Sequence, residues 1–198
     1  MTARPFLIGL TGAMGMGKST TARLFAEEGV PVFDADRAVH DLYAAPGPLH
    51  DAIEDLFPGA VTASGVDRAR LAAQMTPEKL ARLEALIHPM VRRLRDDFVQ
   101  AHREAPILLF DIPLLLETGV AVDAVVVATA PAHVQKARVM ARPGMGEAKF
   151  AALSARQLSD AQKRAQAHYL VMTDKGLDHA REQVKMILAD IRGKIAHA

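Results

Sequence analysis

The stretch Gly12-Ala13-Met14-Gly15-Met16-Gly17-Lys18-Ser19 fits the pattern G-x-x-x-x-G-K-[ST], an arrangement that cradles a chain of phosphates. Its glycines admit backbone conformations closed to other residues and bring N–H groups close to phosphate oxygens. A helix starting at the end of the loop points its positive end at the same oxygens. Lys18 supplies a mobile charge for the β- and γ-phosphates, and the Ser19 hydroxyl is placed to ligand Mg2+. Thr20 is placed for the α-phosphate. The expected ATP-binding set is therefore Gly12, Gly15, Met16, Gly17, Lys18, Ser19 and Thr20. A glycine-rich turn could match the pattern by chance, but a strand before it and a helix after it argue for nucleotide binding.

Such a loop serves switches, motors and small kinases alike. A GTPase switch should carry a guanine-reading N-K-x-D, and none is present. A motor should carry an apolar strand ending in paired carboxylates; the corresponding strand here ends in Asp111-Ile112-Pro113. A small kinase needs a carboxylate that orients the acceptor and basic residues on a closing lid. Asp36 follows Ser19 by seventeen residues, just past a strand expected beside the phosphate-loop strand, and is suited to orient and deprotonate an acceptor hydroxyl. Either Asp34 or Asp36 could instead cap the next helix, with Asp34 the more structural of the two. Arg138 and Arg142 share a helical face, with Arg156, Lys163 and Arg164 beyond them. These side chains read either as a solvated face or as a lid that neutralises the transferring phosphate.

The elements that must position these groups alternate. Phe6 to Leu10 is an apolar run ending near glycine, as a buried parallel strand would be. Val30 to Phe33, Ile107 to Phe110, Ala124 to Thr129 and Tyr169 to Met172 read as four more strands. Between them, Ser19 to Glu28, Arg37 to Tyr43, Ala132 to Ala141 and Leu177 to about Ile195 have helical spacing, with two further helical stretches before Tyr169. The expected fold is α/β: a P-loop NTPase-type parallel sheet of about five strands flanked by helices. It comprises a single domain, 1–198, with a helical acceptor-binding insertion at about 45–104 and a helical lid at about 140–166. Ala45-Pro46-Gly47-Pro48 reads as a turn, and the region from Leu49 to Glu104 as mostly helical. Leu80, Leu83, Ile87, Met90, Leu94 and Phe98 form an apolar stripe in which Pro89 should kink or interrupt the helix. Ligands in such sheets bind beyond the carboxyl ends of the strands, which directs attention to Thr11, Asp34, Asp36, Asp111 and Thr129.

Composition narrows the setting. The 24 basic and 23 acidic residues nearly cancel, which argues against a general nucleic-acid binder. The absence of cysteine excludes disulfides and thiolate metal sites and fits a reducing compartment. The N-terminal apolar run is too short for a membrane span. A cytoplasmic protein without membrane or nucleic-acid partners is expected, acting as a monomer or weak homo-oligomer.

Several segments together resemble one family, dephospho-CoA kinase, over approximately Ile8 to Ile191. Leu10-Thr11-Gly12 through Ser19-Thr20 resembles its phosphate loop, and Phe33-Asp34-Ala35-Asp36 its D-A-D segment. Ile87-His88-Pro89 is similar to an I-x-H-P element, and Asp111 to Glu117 resembles D-[IV]-P-L-L-[FY]-E. Met140-Ala141-Arg142 and Arg156-Gln157 resemble its lid. The resemblance implies transfer of the γ-phosphate of ATP to the ribose 3′-hydroxyl of dephospho-CoA, completing coenzyme A. It makes Asp36, Lys18 and Arg142 the catalytic set, Asp36, His88 and Asp111 the acceptor side, and Ser19 the protein ligand of Mg2+. The chain departs from the family at Ala13, Met16 and Leu116. It also departs at Ala167 to Thr173, where an expected Asp and Asn are missing and adenine-side contacts come into question. A nucleoside or nucleoside monophosphate kinase shares this architecture and is the alternative enzyme; an ATP-binding regulator is the non-enzymatic one.

Overall fold

The computed structural model describes residues 4–44, 47–155 and 157–197. Ala45 and Pro46 of the expected turn, and Arg156 of the expected lid, lie outside them. In chain order the first elements are β1 (Phe6–Thr11), α1 (Lys18–Glu27), β2 (Val32–Asp34) and α2 (Ala35–Leu42). Next come α3 (His50–Leu56), β3 (Val61–Thr62), β4 (Gly65–Val66), α4 (Arg68–Ala73) and α5 (Pro77–Ala101). The remainder is β5 (Ile107–Asp111), α6 (Leu115–Thr118), β6 (Ala124–Thr129), α7 (Ala132–Met140), α8 (Glu147–Ser154), α9 (Asp160–Ala165), β7 (Tyr169–Met172) and α10 (Leu177–Ala196).

Two compact units result: the chain up to Phe33 together with everything from His102 onward, and Asp34–Ala101. The first contains a parallel sheet of five strands in the order β2-β5-β1-β6-β7. β5 and β6 are buried at every position, so their apolar runs show no alternation with polar residues. Successive residues nevertheless point to opposite faces. Ile8, Leu10, Leu109 and Val126 join Leu24 and Phe25 of α1 and Val184, Leu188 and Ile191 of α10 on one face. Val125 and Val127 pack with Leu115 on the other. Burying both faces holds the strand ends, and hence the loops that follow them, in fixed positions.

The order corrects one expectation. β2 is not the neighbour of the phosphate-loop strand; β5 lies between them, and Leu10 of β1 pairs with Asp111 of β5. A helix about 10 Å wide spans two strand spacings of about 4.8 Å, so the crossover through α1 leaves room for one strand. The carboxylate that ends the strand beside the loop is thus Asp111.

The second unit has its own core of Leu42, Leu49, Ile53, Leu56, Phe57, Leu71, Leu83 and Ile87. Here the mostly helical expectation for Leu49 to Glu104 misses an antiparallel hairpin of β3 and β4. Its two-residue strands are too short to carry a period, and hydrogen bonds from the Thr62 hydroxyl to the Gly65 carbonyl and from the Ser64 N–H to the Thr62 hydroxyl hold the turn. At Pro89, α5 is not interrupted but runs 25 residues through it. Leu83 and Ile87 anchor one side of α5 in the core, and this burial outweighs the lost backbone hydrogen bond at an exposed position.

Pro89→Ala restores that hydrogen bond and removes the ring's clash with the preceding turn. It is expected to stabilise the protein by roughly 1–3 kcal/mol in denaturant titrations. A loss of stability would show that the packing of α5 needs the proline's shape.

Candidate active site

The loop between β1 and α1 is built around space that only glycine can use. A Cβ on Gly12 would meet the Ala128 carbonyl oxygen at 2.6 Å, a backbone atom that cannot swing aside. Gly15 and Gly17 have φ of 82° and 84°, in the left-handed region that favours glycine. Gly17 is the N-cap of α1 and offers no side chain to cap the helix's first N–H groups. Met16 is buried, and the Ala130 N–H donates to its sulfur at 3.2 Å. Its side chain therefore points into the protein, and its backbone belongs to the loop. Ser19 and Thr20 are exposed on the first turn of α1.

Lys18 and Asp111 come together. The Lys18 ammonium donates to Asp111 at 2.6 Å, with both side chains largely removed from solvent. Adjacent strands supply the pair, because Asp111 ends β5 and Lys18 lies one loop beyond the end of β1. The ion pair holds the flexible lysine stem at the mouth of the loop.

Of the remaining predicted residues, Asp34, Asp36 and His88 belong to the second unit and Arg138 and Arg142 to the first. Asp34 caps α2 by accepting the Arg37 N–H at 3.0 Å, the structural role weighed for it. Asp36 sits exposed in the first turn of the same helix and is not the cap. His88 is exposed on α5. Arg142 is exposed just past the end of α7. Arg138 is half-buried and turns back onto the phosphate loop, so it does not belong to a solvated face.

A second polar cluster was not visible in the sequence. Lys163, grouped there with the lid cations, is 0 % exposed, and its ammonium donates to both carboxylate oxygens of Glu117 at 2.7 and 3.0 Å. It also donates to the Pro113 carbonyl and the Thr11 hydroxyl, and Thr11 in turn donates to the same carbonyl. Glu117 accepts the Leu158 N–H as well. Nearby, the Thr129 hydroxyl bonds Asp160 at the start of α9. Polar residues at the ends of β1 and β6 thus bind α9 and the turn after β5 into one block. Burial pushes the Glu117 carboxyl up, but the Lys163 ammonium and the backbone N–H groups outweigh it and hold it below the usual carboxylate range.

Glu117→Gln leaves the Lys163 charge buried without its counter-ion, so a loss of about 3–5 kcal/mol is expected in urea titrations at neutral pH. The pair's contribution is fully present above the pKa of an unfolded glutamate, about 4.3, and is lost as pH falls through the lower native value. The gap between wild type and variant should accordingly close on acidification. A gap that persists unchanged at low pH would refute this assignment of the charge.

The sequence model of the dephospho-CoA kinase family matches residues 6–179. A dephospho-CoA kinase of Mesorhizobium japonicum is 50% identical over 194 residues, covering 95% of this chain and 98% of its own length. One from Cereibacter sphaeroides is 51% identical over 193 residues, covering 96% and 97%. Among solved structures, TT1252 from Thermus thermophilus superposes with a TM-score of 0.80 at 34% identity, covering 95% of this chain and 98% of that one. A dephospho-CoA kinase from Campylobacter jejuni shares the fold, with a TM-score of 0.66 at 18% identity, covering 96% and 98%. With likeness of this extent and a phosphate loop complete at Gly12, Gly17, Lys18 and Ser19, the chain belongs to the dephospho-CoA kinase family.

Proposed function

We propose that this protein transfers the γ-phosphoryl group of ATP to the ribose 3′-hydroxyl of dephospho-CoA, releasing coenzyme A and ADP. The observation that carries this reading is an intact phosphate loop, with Lys18 held by Asp111, in a chain about half identical to dephospho-CoA kinases along nearly its whole length.

Phosphoryl transfer asks little covalent chemistry of a protein. It asks for positioning and for charge placed against the phosphate oxygens. The glycines at 12, 15 and 17 and the start of α1 take the donor phosphates, and Lys18 neutralises charge at the β- and γ-positions. Mg2+ favours a few protein oxygens completed by substrate phosphates and water, and an exposed Ser19 hydroxyl at the head of α1 suits such a site. When bound, the ion offsets negative charge on the phosphates. Asp36 takes the proton of the acceptor hydroxyl; its exposed carboxylate, left out of the α2 cap by Asp34, suits that role. Arg142, exposed past the end of α7, supplies the cation of a lid formed by about 140–166. His88 and Asp111 serve the acceptor side, with the helical unit around His88 as its receiving surface.

The test is turnover of purified protein with ATP and dephospho-CoA, comparing wild type with Asp36→Asn. Loss of a general base typically lowers kcat by about 10²–10⁴-fold, and ATP affinity should persist. Near-normal kcat in the variant would remove Asp36 from the role. No ADP release with dephospho-CoA, but turnover with a nucleoside or nucleotide, would overturn the substrate.

A further inference from the structure

Three successive carbonyls of the phosphate loop are gripped from behind by side chains far away in sequence. Gln135 of α7 donates to the Met14 carbonyl at 2.8 Å. Arg138, one turn further along α7, reaches the Gly15 carbonyl at 3.4 Å. Thr173, the first residue after β7, donates its hydroxyl proton to the Met16 carbonyl at 2.9 Å. Thr173 is itself held: Arg138 donates to its hydroxyl at 2.9 Å and to its carbonyl at 2.7 Å, while its own N–H bonds the Thr129 carbonyl at 2.9 Å. A hydroxyl has one proton to give, and the Arg138 donor leaves it directed at a carbonyl. The Met16 oxygen, at 2.9 Å, is nearer than the Thr129 oxygen at 3.3 Å.

The consequence follows from peptide geometry. In a trans peptide the C=O of one residue and the N–H of the next point in opposite directions. Holding the Met14 carbonyl directs the Gly15 N–H the other way, and holding the Met16 carbonyl does the same for the Gly17 N–H. Glycine's freedom makes these peptides easy to turn over, and in Gly17 a left-handed φ of 84° is combined with a Thr173 side chain packed 3.1 Å from where a Cβ would be. Arg138 adds charge as well as geometry. Among the described residues it has no carboxylate partner, and its bonds go to neutral oxygens, so its positive charge stands behind the loop uncancelled.

We propose that Arg138 and Thr173 are positioning residues for the ATP phosphates: Thr173, held in place by Arg138, fixes the Met16–Gly17 peptide with the Gly17 N–H facing the donor, and Arg138 sets a positive charge behind the loop. This rests on the reading of Gly12 to Ser19 as an ATP-binding loop and is independent of the acceptor's identity. Thr173 stands where the family resemblance leads one to expect asparagine, and here the position acts on the phosphates through the loop backbone.

Calorimetric titration with Mg-ATP in the absence of dephospho-CoA provides the test, with thermal midpoints and steady-state constants measured alongside. Thr173→Val keeps the shape and removes the hydroxyl; it is expected to weaken ATP binding by about tenfold, the scale of one lost hydrogen bond to a buried partner. Thr173→Ser should restore binding to within about threefold, because the hydroxyl is what matters. Arg138→Lys keeps the charge but not the fork that serves Thr173, and should also lose about tenfold. KM for ATP should rise in both weakened variants while KM for dephospho-CoA at saturating ATP stays put. Wild-type ATP affinity in Thr173→Val, a serine variant as weak as the valine one, or a parallel rise in both KM values would each overturn the proposal. If Thr173→Val does not fold, Arg138→Lys decides: unchanged ATP affinity refutes it. A wild type that binds ATP but leaves dephospho-CoA untouched would count against the proposed reaction and not against this role.

Discussion

The loop from Gly12 to Ser19 depends on keeping a short run of peptide groups in fixed orientations. Free glycine-rich backbone has no such preference, since the residues that permit the loop's conformation also permit many others. Order has to be imposed from outside the loop. It comes from the Ala128 carbonyl crowding Gly12, from the Met16 side chain sunk beside Ala130, and from Gln135, Arg138 and Thr173 on the carbonyls. A preorganised site of this kind loses little when charge builds up on the transferring group, because its dipoles are already aligned.

The same logic extends to the charged groups around the loop. Lys18 is held by Asp111, and Lys163 by Glu117, yet the two pairs have different surroundings. Lys18 and Asp111 close the gap between the ends of adjacent strands, and the lysine keeps some exposure to solvent. Lys163 is wholly enclosed, satisfied by a carboxylate, a carbonyl and a hydroxyl, and joins α9 to the turn that carries Pro113. An enclosed charge with every donor engaged has little left to offer a substrate; what it contributes is the fixed placement of the backbone around it.

Much of the architecture was legible because it rests on local patterns. The apolar runs at Ala124–Thr129 and Tyr169–Met172 are strands over those same residues: the first is buried throughout as a central parallel strand, and the second lies at the sheet edge with Val171 buried. Where the reading failed, a longer-range effect outweighed a local one. The hairpin at Val61–Val66 is too short to show a period, and core contacts of its unit hold it in place of the helix expected there. The strand order was hidden because adjacency along the chain does not determine adjacency in a sheet. Lys163 looked like a lid cation because a lysine on a short helix usually is solvated, and Glu117 lies 46 residues away in the chain.

By itself the sequence determined what the loop can hold: glycines, a lysine and a hydroxyl at fixed spacing specify phosphate chemistry because the groups act over a few bonds. It also set the signature segments that place the chain in its family. Only the tertiary structure decided which residues stand behind that loop. Arg138 and Thr173 are 123 and 157 residues from the carbonyls they hold. Hydrogen bonds and burial depend on separation in space, and that separation exists only once the sheet has brought α7 and the end of β7 beneath Gly15 and Met16.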